Sequence, residues 1–125
     1  MGCDRKCQTR ASRFERKVSS TFGGVGVRQQ VWTPDRTRRA DLVVPIGAFG
    51  LRTAVIDATL QRVIGDAKVE QIDDTRKKMG ADRAVVVGTC SARVTVHAAA
   101  EMRRRGVLFY RLPAPESRRK YCRLR

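Results

Sequence analysis

A chain of 125 residues, 42% of them hydrophobic, can bury one continuous core but is too short to divide into two, so one domain is expected. Its apolar residues come in short runs, which argues against both disorder and a membrane span. Lys and Arg number 27 against 12 Asp and Glu, a formal charge of +15, and that excess points to a polyanionic partner, nucleic acid before a membrane surface.

The opening MGCDRKCQTR is basic and lacks the apolar run of a secretory signal, so residues 1–11 read as a basic N-terminal segment of an intracellular, cytoplasmic protein. Met-Gly-Cys starts like an acylation signal, but Lys6 stands where that signal needs Ser or Thr. From Ser12 to Phe22, the apolar residues Phe14, Val18 and Phe22 recur every four positions and predict a helix, stopped by Gly23-Gly24. Val25 to Trp32 reads as a strand, residues 33–39 as a basic loop around Pro34, and Ala40 to Ile46 as a second strand. Gly47 and Gly50 bracket a tight turn into a third strand, Leu51 to Leu60. Three strands with short links predict an antiparallel meander.

Beyond Gly65 the period changes. Val69, Ile72 and Met79 mark a second helix that ends at Gly80. Arg83 to Gly88 contains four apolar residues in a row and predicts a strand buried on both faces. Ser91 is the expected N-cap of a third helix running to Arg105, with Gly106 as its stop, and Val107 to Leu112 forms the last strand. Crossover connections make the last three strands parallel neighbours. The fold class is therefore α/β: a mixed sheet of about five strands, a meander followed by βαβαβ, with helices packed on it. Residues 12–112 form the domain and 113–125 a basic tail.

Phosphate contacts are expected from Arg36, Arg38 and Arg39 in the loop, Arg62 and Lys68 after the third strand, and Arg118, Arg119 and Lys120 in the tail, since a guanidinium can donate two hydrogen bonds to one phosphate. Cys3, Cys7, Cys90 and Cys122 match neither a disulfide framework nor paired zinc knuckles, so free thiols in a reducing compartment are expected. A zinc site from Cys3, Cys7 and either His97 or Cys122 is the weaker alternative. His97 reads as a helix surface residue, and Trp32, Phe109 and Tyr110 as packing residues, with Trp32 also able to stack on a base. Gly24-x-Gly26 lacks the helix that a dinucleotide site needs.

Helix, three-strand meander, helix, strand, helix, strand is similar to the PD-(D/E)XK, or restriction-endonuclease-like, core. In sequence, Phe14-Glu15 with Val18, Ala40-Asp41-Leu42-Val43-Val44, Ala54-Val55-Ile56-Asp57-Ala58-Thr59, and the stretches 79–87 and 106–110 resemble Mrr-like and Holliday-junction-resolvase-like members across residues 12–112. The resemblance implies a metal-dependent DNA endonuclease of restriction or junction-resolving type, and a homodimer. It makes Asp41 and Asp57 ligands of Mg²⁺ or Mn²⁺, with Glu15 as an accessory carboxylate. Phosphodiester hydrolysis suits such ligands, because a hard divalent cation prefers carboxylate oxygens and activates the attacking water. The literal Pro34-Asp35 competes for the role of first aspartate, but Asp35 sits in a basic loop whereas Asp41 opens an apolar strand.

One position departs from the family: Thr59 stands where its lysine is expected. Three readings follow. Lys68 or Arg62 supplies the charge; Thr59 or Gln61 positions the water; or the domain binds nucleic acid without cutting it. A basic RNA-binding or ribosome-associated protein is a further alternative, and paired strand-end carboxylates are the bland account of Asp41 and Asp57.

Overall fold

Phe14 and Val18 are buried because they share one face of α1 (Arg5–Phe22) and that face lies on the sheet. The computed structural model describes residues 5–123, with side chains from residue 9 onward. In it, α1 starts at Arg5 rather than at Ser12. The remaining elements are β1 (Arg28–Trp32), β2 (Arg39–Ile46), a 3₁₀ turn (Ala48–Gly50), β3 (Arg52–Ala58), β4 (Val63–Ile64), α2 (Asp66–Met79), β5 (Arg83–Thr89), β6 (Arg93–Val94), α3 (Val96–Arg105) and β7 (Val107–Leu112). The main sheet has the order β1-β2-β3-β5-β7. β1, β2 and β3 are antiparallel neighbours, and β3, β5 and β7 are parallel. The expected mixed α/β sheet is what forms.

Strand alternation divides the core in two. Leu42, Val44, Ala54, Ile56, Val85 and Val87 pack with Phe14 and Val18 of α1. Val43, Val55, Ala84 and Val86 pack on the opposite face with Val69 and Ile72 of α2 and Ala98 and Met102 of α3. β5 is buried along all but its first residue, as its unbroken apolar run requires. β1 is the exposed edge.

Three expectations change. A second, two-stranded parallel sheet pairs β4 with β6. It takes up Arg93 and Val94, so the third helix cannot begin at Ser91; Thr95 is its N-cap, accepting the Ala98 N–H at 3.1 Å. The cysteines are not all free thiols either, because Cys90 and Cys122 form a disulfide. The loop after β5 and the chain after β7 meet because their parallel strands are neighbours, which brings two residues 32 apart in sequence to a Cα separation of 5.4 Å. This also removes Cys122 as a zinc ligand. Cys3 and the side chain of Cys7 lie outside the described residues.

The third change concerns residues 113–123, expected as a basic tail, which return to the domain. Besides the disulfide, Lys17 donates to the Ala114 and Ser117 carbonyls, Arg13 to that of Pro115, and Arg10 pairs with Glu116. No helix among the described residues is long and apolar enough to cross a membrane.

Candidate active site

The β2–β3 register sets Leu42 opposite Ile56, so one step along it Asp41 stands opposite Asp57. Both reach the same place. The Ala58 N–H donates to Asp41 Oδ2 at 2.9 Å, and the Asp57 carboxyl lies close enough to that of Asp41 to share a hydrogen bond once one of them is protonated. Burial, then that bond and the Asp57 charge, push Asp41 up to about 8. Two carboxyl groups in contact cannot both ionise cheaply, so near neutral pH the pair holds a proton between them.

Lys68 completes the group. It lies in the first turn of α2, over the end of β3, and its Nζ is 2.9 Å from Asp57 Oδ2. Asp57 Oδ2 is buried and makes no directed hydrogen bond, so the contact is an ion pair. Of the two cations expected to make up for the charge that Thr59 lacks, Lys68 reaches the carboxyl pair. The Arg62 side chain is exposed, and its carbonyl accepts the Arg93 N–H at 2.7 Å.

Glu15 approaches from α1. Burial raises its pKa, Arg39 opposes that rise, and the Asp57 charge adds to it, so Glu15 shares the field of the pair. Its Oε2 accepts a 2.7 Å hydrogen bond from Gln30. Gln30 is a site residue that the sequence did not reveal. It stands opposite Asp41 in the β1–β2 register and adopts φ 54 inside a strand, a left-handed conformation uncommon for a residue with a side chain. No motif marks such a glutamine.

Thr59 plays a backbone role: its N–H donates to the Val87 carbonyl at 2.9 Å and its hydroxyl accepts the Gln61 N–H at 3.2 Å. The Gln61 side chain is exposed. Asp35, the competing reading for the first aspartate, is bonded within its own turn. Hydrogen bonds from the Thr37 hydroxyl and N–H and from Thr33, with Lys78 beside it, hold its carboxyl far below the usual range as part of a turn.

The expected phosphate contacts fall into two sets. Arg36, Arg118, Arg119 and Lys120 are exposed. Arg38 is engaged by Asp74 at 3.1 Å, and Arg39 lies 5.8 Å from the Trp32 ring centroid. Trp32 and Tyr110, expected in packing, are half-exposed, and of the three aromatics only Phe109 joins the core. Trp32 sits on the edge strand, and Tyr110 makes an edge-to-face contact with Phe22. His97 is exposed on α3. Gly24 and Gly26 form the turn before β1.

Among the described residues no three His, Cys, Asp or Glu side chains gather as a ready metal cluster. Two touching carboxyls still suit Mg²⁺, which keeps several waters and takes one or two protein carboxylates. Comparison of the chain with protein-family models, curated proteins and solved structures finds no match.

Proposed function

We propose that this chain is a metal-dependent endonuclease-like domain that hydrolyses phosphodiester bonds in DNA, built on a restriction-endonuclease-like core. The observation that carries the reading is the Asp41–Asp57 carboxyl pair with Lys68 Nζ 2.9 Å from it, on adjacent strands of a meander that leads into βαβαβ. Asp41 and Asp57 would hold Mg²⁺ or Mn²⁺, which supplies charge neutralisation at the phosphate and a more acidic attacking water. Lys68 provides the fixed positive charge that Thr59 lacks, placed to hold the water or to offset charge developing on the phosphate. Glu15, steadied by Gln30, accepts a proton or hydrogen-bonds to water at the rim of the pair. The net charge of +15 favours DNA as the partner, and a homodimer would let two such sites address both strands.

The test is Mg²⁺- or Mn²⁺-dependent cleavage of linear and branched DNA. The native chain should cut, and Asp57→Ala should not. Lys68→Ala should lose about 10²-fold or more in rate, and Thr59→Lys in that background should restore part of it. If native and Thr59→Lys proteins bind every substrate yet cut none, the fold is a nucleic-acid-binding scaffold. Preference for RNA would favour the RNA-binding alternative.

A further inference from the structure

The carboxyl ends of β3, β5 and β7 share one edge of the sheet, the edge at which Asp57 lies. Ligands of open α/β sheets bind at this edge. At its β5–β7 part, two open clefts of ≈ 600 and ≈ 610 Å³ adjoin at Cys90, Ser91, Cys122 and Arg123, where the loop after β5 meets the returning C-terminal segment. Arg93 and Arg111 line one of them, Arg119 the other and Arg123 both, with no acidic side chain among the lining residues.

Their walls are fixed from three sides. The Cys90–Cys122 disulfide joins them. Arg111 donates from Nε and Nη2 to the Ala92 carbonyl, at 3.2 and 3.1 Å, and lies over the Phe109 ring, which pins the loop after β5. The β4–β6 pair, with Arg93 opposite Val63 and its N–H bonded to the Arg62 carbonyl, ties the same loop to the segment that follows β3 and the carboxyl pair. The segment that follows Asp57 is therefore tied through the Arg62–Arg93 backbone bond to the loop that carries Arg93, and this loop is tied through the disulfide to the segment that carries Arg123.

We propose that the disulfide-braced cleft lined by Arg93, Arg111 and Arg123 is a phosphate-binding subsite that seats the DNA backbone next to the scissile bond. The proposal rests on the nuclease-like reading for its DNA partner, but its chemistry is binding alone. A row of guanidinium groups on fixed backbone loses less freedom on binding phosphate than the same residues on a loose tail, so the disulfide sets the affinity of the cleft.

The experiment is titration of a labelled DNA duplex at several salt concentrations in EDTA, where no cleavage intervenes. Arg93→Ala and Arg123→Ala keep the disulfide; each should weaken binding about three- to tenfold and lower the salt slope by about one. Arg103→Ala, an exposed residue at the opposite end of the sheet, should change both less. Cys122→Ser, shown by circular dichroism to be folded, should lose at least as much affinity as Arg123→Ala. Native affinity and slope in both arginine variants, or native affinity in folded Cys122→Ser, would overturn the proposal, as would failure of the native chain to bind DNA. If Cys122→Ser does not fold, the arginine pair decides. Loss of cleavage in Mg²⁺ with this binding pattern intact would instead sink the catalytic reading and leave the cleft standing.

Discussion

Asp41 occupies a position where ionisation is costly, and that cost has a sign that can be measured. Its pKa in the fold lies above the ordinary carboxylate value. Its protonated form therefore adds stability at low pH, and that stability is lost as the pH rises from about 4 toward 8. Asp41→Asn, uncharged throughout, should melt near the native temperature at pH 4 and roughly 5 °C or more above it at pH 9 in metal-free buffer. A difference that does not grow with pH would show that Asp41 ionises normally. Both aspartates were legible in the sequence because each interrupts an apolar strand, where a carboxylate is expensive without a role. The choice between Lys68 and Arg62 was not, since it depends on where α2 begins. Gly65 ends the loop and Lys68 falls in the first helical turn, whereas Arg62 is directed outward before β4.

The helices are coupled through one carboxylate. Asp73 of α2 is buried, and it bonds to Arg76 at 3.0 Å, lies 3.4 Å from Lys77 and bonds to Arg105 of α3 at 2.9 Å. Burial works against its ionisation, but Arg105 and Arg76 outweigh that and lower its pKa, so it stabilises the fold above the normal carboxylate range and less as the pH falls through it. Asp73→Ala should cost about 2–3 kcal/mol at neutral pH, read from chemical denaturation, and the deficit should shrink in acid. Gly88 couples strands in the same way. A Cβ there would meet the Ala92 Cβ at 3.0 Å and Ile64 Cδ1 and Phe109 Cε1 at 3.3 Å, because the small β4–β6 sheet lies close against β5. Gly88→Ala should destabilise by about 1–3 kcal/mol, measured in the same way, and an unchanged midpoint would mean that these neighbours yield freely. The β4–β6 pair was illegible because two residues carry no periodicity. Missing it displaced the N-cap of α3 from Thr95 to Ser91.

Across the whole molecule, charge and chain path act together. With +15 at neutral pH, DNA binding should weaken steeply as salt rises, as counterions released from the phosphates become harder to displace. A flat salt response in a fluorescence titration would remove phosphate contact as the source of affinity. The mixed sheet was readable from the sequence because each strand and helix carries its own period, but the disulfide was not, because cysteine spacing is silent about which loops neighbouring parallel strands bring together. That disulfide also closes a covalent ring of 32 residues of separation around α3 and β7. By chain entropy, such a ring restricts the unfolded ensemble by about 3–4 kcal/mol. It acts on one side of the sheet only, so opening short of global unfolding should begin at the unringed edge. In native-state hydrogen exchange, the paired amides of β1 should exchange at lower opening free energies than those of β7, and Cys122→Ser should narrow the gap.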